Sequence, residues 1–153
     1  MGSAVQQVRA YVAAMLRTTR LMLGPIAAYL REAAGKPNAD ERWILERLLA
    51  TLHAHDEELA EHLMRLGGQS EPQPQTAEPS VQPARDLRQT HGALLLVHNE
   101  ALMLETNARA LEFSSTAALA RRHREELSTI LARMRELLPA SVKGEIEKEP
   151  TAY

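Results

Sequence analysis

Residues 48–68 read LLATLHAHDEELAEHLMRLGG, and this stretch decides the fold. Leu48, Leu52, Leu59, Leu63 and Leu66 recur at spacings of three, four and seven, the period of one face of an α-helix. His55 and His62 continue the row from Leu48 at intervals of seven, so both imidazoles are expected to point inward. Gly67-Gly68 stops the run, glycine being the residue that leaves right-handed helical geometry most cheaply. Asn38 with Glu41 three residues later has capping-box spacing, which puts this helix at about 38–66.

The same period extends in both directions. Val5, Val8, Val12, Met15, Met22 and Ile26, widened by Leu16, Leu23 and Leu30, predict a first helix at about 5–33. Gly24-Pro25 predicts a kink or short break in it, because proline removes one ladder hydrogen bond and crowds the preceding turn. Gly35-Lys36-Pro37 ends it. Further on, helices are expected at about 84–112 and 115–138, separated only by the corner Phe113-Ser114-Ser115, which forces an antiparallel hairpin. Pro139 is expected to close the fourth helix and leave 139–153 as a charged tail.

Between the second and third helices, the linker 68–83 carries four prolines and no periodic apolar pattern. In polyproline form, at about 3.1 Å per residue, it reaches over roughly 40 Å. The third helix, at 1.5 Å per residue, spans about the same distance. The expected fold is therefore an all-α four-helix bundle, two antiparallel hairpins joined by a long Pro-rich crossover, in a single domain over 1–138.

Composition limits the function. The hydrophobic content rests on Leu, Ala and Met, with one Trp, one Phe and three Tyr, a mix that favours helix over sheet. A formal charge of -2 and few aromatic rings supply neither the basic field nor the stacking platforms that nucleic acid needs, so no nucleic-acid partner is expected. The chain has no cysteine, which removes disulfides, thiolate metal sites and thiol nucleophiles. The apolar run around Leu94 to Val97 is far short of the roughly 20 residues that span a bilayer, so no membrane partner and a cytoplasmic location are expected. No phosphate-binding glycine loop, nucleophile elbow or His-Glu-x-x-His occurs, so the common enzyme signatures are absent.

Chemistry-bearing residues gather on faces read as internal. In the third helix Leu94, Leu95, Ala101 and Leu102 surround His98, with Glu105 one heptad on and His91 and Glu112 in the same row. In the fourth, the stripe Ala120, His123, Leu127, Ile130, Met134, Leu137 puts His123 in the core, with Glu126 three residues later. If the second and third helices run the same way and the fourth returns, His55, Glu58, Glu105, His123 and Glu126 reach similar depth. Imidazole nitrogen and carboxylate oxygen suit iron, manganese or zinc. The same histidines also serve as a structural polar layer that fixes helix register, as a pH-responsive layer, or as haem ligands, although no spacing selects haem. Arg121, Arg122 and Arg124 alternate with Glu125 and Glu126 and read as a solvated face.

Over 5–138 this pattern resembles the ferritin-like superfamily, in particular rubrerythrin-type and small YciF-like stress proteins. The resemblance implies an iron or manganese site with ligands among His55, Glu58, Glu105, His123 and Glu126, and a role in metal handling or stress protection. Family members place Glu-x-x-His on helices two and four; here the order is His55-x-x-Glu58 and His123-x-x-Glu126. Helix one offers Met15, Leu16 and Thr19 at the matching depth, and its acid, Glu32, lies near its end. The alternative expectation is a metal-free helical interaction module. Leu96 and Met103 support it, because they fall opposite the core stripe beside Asn99 and Glu100, which predicts a homo-oligomer through the third helix or a surface covered by the crossover.

Overall fold

The computed structural model describes residues 2–32, 39–68 and 86–148, with side chains over 3–31, 39–68 and 86–139. Among them are four helices and no strand: α1 Gly2–Glu32, α2 Ala39–Arg65, α3 Leu87–Ala110 and α4 Ser114–Lys148. The expected linker lies outside the described residues apart from Gly68, as do the Asn38 cap and the Gly35-Lys36-Pro37 stop.

The end of α2 and both ends of α3 have local causes. Asp86 caps α3, its carboxylate accepting from the Gln89 amide at 2.8 Å. After α2 the chain turns left-handed at Gly67 (φ 85°), and the Gly68 amide donates back to the Leu63 carbonyl at 2.9 Å. After α3 the same motif recurs without glycine: Glu112 takes φ 64° while the Phe113 amide donates to the Ala108 carbonyl at 2.8 Å. A side chain in that conformation costs roughly 1–2 kcal/mol, which the tight α3–α4 hairpin absorbs.

The short break allowed for at Gly24-Pro25 does not occur, and the stop expected at Pro139 is corrected. α1 runs unbroken through Gly24-Pro25, and Pro139 sits inside α4, which continues to Lys148. A proline deletes one N–H bond and crowds one carbonyl, and a helix with turns on both sides tolerates that loss.

Side-chain pairs across the seams give the directions. His62 meets Thr116 and His55 meets Glu126, so α2 and α4 are antiparallel. Glu105 meets Arg124 and His98 meets Ser128, so α3 and α4 are antiparallel too. Hence α2 and α3 run the same way, and the end of α2 lies at the opposite end of the bundle from the start of α3. α1 packs against α2 and α3, and α4 against the same two helices.

The core falls into two apolar clusters. One holds Met22, Ile26, Leu45, Leu48, Leu94 and Leu127 with their neighbours. The other holds Val12, Met15, Leu16, Leu59, Leu63 and Leu104 with theirs. Thr19, His55 and His123, all fully buried, come between the two clusters along their helices. Burying each large aliphatic side chain is worth about 1.5–3 kcal/mol, so the clusters hold the bundle together.

α3 is rotated from its expected phase. Its core row is Thr90, Leu94, Val97, Ala101, Leu104 and Ala108. His91, His98 and Glu105 lie on the flank toward α4, and Leu95 and Leu102 are exposed rather than internal. The run Leu94-Leu95-Leu96-Val97 is apolar all round, so it leaves the phase unsettled.

Candidate functional site

The polar layer centres on two stacked imidazoles. His55 from α2 and His123 from α4 lie face to face, with ring centroids 3.6 Å apart and planes 5° from parallel. Each ring reaches across the seam to the carboxylate on the other helix: His55 Nε2 to Glu126 Oε2 at 3.0 Å, and His123 Nε2 to Glu58 Oε2 at 3.3 Å. The sequence arranges this exchange. Glu58 follows His55 by three residues and Glu126 follows His123 by three, so each acid sits one turn along its own helix, level with the other helix's ring once the helices run antiparallel.

A carboxylate only accepts, so the Nε2 atoms carry the protons and donate, which leaves both Nδ1 atoms as bare acceptors. Both are buried without a hydrogen-bond partner, as is Thr19 Oγ1. Burial depresses the basicity of both rings. His123 falls to about 3, through burial first and then the neighbouring His55 ring, against the pull of Glu58. His55 is lowered by burial against the pull of Glu126 and Glu58. Both rings are therefore neutral at pH 7.

Arg122 reaches both acids and offsets one of their two charges. Its guanidinium grips both oxygens of Glu58, Nη1 donating to Oε1 at 3.1 Å, and its Nη1 lies 3.5 Å from Glu126. The hydrogen bond to Arg122 is the main reason that the Glu58 carboxyl is held at about 2. Arg122 stays on the solvated face that its alternation with acids implied, and it also ties α4 to α2. Periodicity had no means to show this, since Arg122 projects from an exposed position and becomes informative only once α2 lies beside it.

Four of the five sequence-derived ligands, His55, Glu58, His123 and Glu126, come together; Glu105 does not. It is buried on the α3–α4 seam, where Arg124 Nη2 donates to both of its oxygens at 3.1 and 3.2 Å and Arg109 stands 3.8 Å away. Arg122 and Arg124 flank His123 along α4, and each is paired with an acid of a different helix. Elsewhere the seams carry single pairs that spacing alone did not reveal. Thr18 Oγ1 donates to Glu100 at 3.0 Å between α1 and α3, Arg20 pairs with Asp56 at 2.7 Å between α1 and α2, and His62 meets Thr116 at 2.7 Å. Burial raises the carboxyl of Glu100.

No group of three or more histidine or acidic side chains among the described residues is disposed to hold a metal ion. The geometry gives two reasons. Parallel rings 3.6 Å apart direct their lone pairs side by side rather than toward one point, and the cationic position beside Glu58 and Glu126 is taken by Arg122. Near the α3–α4 corner, a hollow lined by Arg109, Arg121 and Arg122 is no better as an anion site, because each arginine is already paired with an acid. Comparison with family models, with curated proteins and with solved structures finds no match to this chain. No described helix is long and apolar enough to cross a membrane.

The outer face of α3 is the other unusual surface. Leu95, Leu96, Leu102 and Met103 are 39–53% exposed. Between Arg88 and Arg109 the charged side chains of α3 are Glu100 and Glu105, the first half-buried and bonded to Thr18, the second buried. The outside of α4, by contrast, is laced with pairs such as Arg121–Glu125 and Arg133–Glu136.

Proposed function

We propose that this chain is a metal-free helical interaction module, in which the His55–His123 layer fixes how α2 packs on α4 and the outer face of α3 is the binding surface. The observation that carries the reading is the outside of α3: four large apolar side chains on a 24-residue helix with no exposed charge between Arg88 and Arg109. Loss of charge at the centre of an apolar patch distinguishes protein-binding surfaces from ordinary ones. Replacing Leu96 and Met103 by glutamate tests it. Both are exposed, so helicity and melting temperature should hold, while retention on a phenyl column at dilute load should fall sharply. Equal retention of the two proteins would remove the binding surface.

A second reading is favoured by the unpartnered Nδ1 atoms. Each ring is backed by a carboxylate on Nε2, as metal-binding histidines commonly are, and each presents a buried bare nitrogen. On this reading, which follows the ferritin-like resemblance, the layer takes iron or manganese and serves metal handling or stress protection. It requires the rings to unstack and Arg122 to release its acids, so Arg122→Gln should bind Mn(II) more tightly than the unaltered chain. Equal, negligible uptake by both would sink it.

A further inference from the structure

Glu100 is a proton-operated latch between α1 and α3, we propose: protonated, it donates to Thr18 and closes the seam, and ionised, it lets the seam loosen. The decisive feature is the hydrogen-bond count at Thr18, which is 5% exposed. Thr18 Oγ1 lies 3.0 Å from the Ala14 carbonyl on its own helix and 3.0 Å from Glu100 Oε1 on α3. A hydroxyl has one proton to give and two lone pairs that accept. Against an ionised Glu100 that proton serves one neighbour at a time, and turning it to the carboxylate takes it from Ala14. When Glu100 carries a proton of its own, both contacts are filled: Glu100 donates to Thr18 and Thr18 donates to Ala14.

The other oxygen points the same way. Glu100 Oε2 is buried without a hydrogen-bond partner. The carbonyl oxygen of a neutral acid bears that at modest cost, whereas an ionised carboxylate does not. On α3 the neighbours of Glu100 at three and four residues are Leu96, Val97, Met103 and Leu104, all apolar.

The charged groups around the carboxyl do not offset this. From α1, Arg17 favours the ion, while Arg20 one turn on is held by Asp56. On α3, His98 turns to Ser128 and Glu105 to Arg124, both toward α4. Burial opposes the ion more than Thr18 and Arg17 favour it, and the carboxyl is raised above its ordinary 4.5. An acid raised in the folded chain contributes stability that is complete below 4.5 and is lost as pH rises through the folded value. The latch therefore loosens toward alkali, opposite in sense to the histidine layer, whose rings weaken the fold toward acid.

Glu100→Gln should hold the latch closed, because an amide donates to Thr18 at every pH. The variant should melt above the unaltered chain at pH 8, and the gap should narrow at pH 5. Each tenfold penalty on ionisation moves the melting temperature by about 4 °C in a chain of this size. The chain has no cysteine, so spin labels on Ala10→Cys and Thr106→Cys, exposed positions within about two turns of Thr18 and Glu100, report on the seam itself. Their distance should be sharply distributed at pH 5 and broaden at pH 8, and Glu100→Gln should keep it sharp at both. An NMR titration of the Glu100 side-chain carbon in the unaltered chain decides the protonation even where the variant folds poorly. A midpoint at the ordinary 4.5, or an equal pH response of the two melting temperatures, overturns the proton on Glu100. Identical label distances in the unaltered chain at the two pH values overturn the latch.

Discussion

Acid should unfold this protein through His123, and the size of the effect follows from its burial. The unfolded ring titrates at its ordinary 6.5 and the folded ring at about 3. A base whose folded value is depressed contributes stability that is complete above 6.5 and is lost as pH falls from 6.5 to 3, because only the unfolded chain takes the proton in that window. Moving from pH 8 to pH 5 removes about 2 kcal/mol through this one ring, and any folded value below about 4 gives nearly the same loss. Glu58 acts in the same direction but later: its stabilisation is present above 4.5 and disappears as pH falls through about 2, so pH 5 isolates the imidazole. Urea unfolding of the unaltered chain and of His123→Leu at the two pH values is the assay. His55, His62, His91 and His98 are also depressed by burial and contribute to both proteins. The variant should therefore lose about 2 kcal/mol less than the unaltered chain, about 1 M in urea midpoint. Equal losses would refute the claim that His123 is held neutral in the bundle.

Two further substitutions probe separate links. Glu112→Gly should stabilise the chain by about 1 kcal/mol, since glycine takes the left-handed conformation (φ 64°) freely; an unchanged or lower melting temperature would mean that the side chain has a compensating role. Arg122→Met should let the Glu58 carboxyl climb from about 2 toward 4.5, followed by its side-chain NMR shift against pH. A value that stays near 2 would show that His123, not Arg122, holds the charge.

What was legible in the sequence was whatever periodicity and punctuation carry. The row from Leu48 to Leu63 gave α2 its buried face, Gly67-Gly68 its stop, and the antiparallel logic of the two hairpins put His55 near His123. Glu58 and Glu126 followed, since a residue three places from a core histidine on a helix has to flank it. Phase failed in α3, because Leu94 to Val97 are apolar on every side; Leu95 and Leu102 were then read as internal, and Glu105 was placed in the layer rather than on the α4 seam. Partner choice was also illegible: nothing in RRHREE says which arginine faces α2 and which α3. Pro139 misled because a local rule about one hydrogen bond was applied to a helix of 35 residues.

If the chain is the metal-free module proposed above, Arg122 occupies the place beside Glu58 and Glu126 that a metal ion would take, and added metal should not stabilise the fold. The direct measurement is thermal unfolding of the untagged, chelator-treated chain at pH 7.5, alone and with excess Fe(II), Mn(II) or Zn(II). A ligand that binds only the folded state at a hundredfold excess over its dissociation constant adds about 2.7 kcal/mol, several degrees for a chain of this size. The midpoint should be unchanged with each metal; a rise of several degrees that His55→Ala abolishes would establish a metal site in the layer.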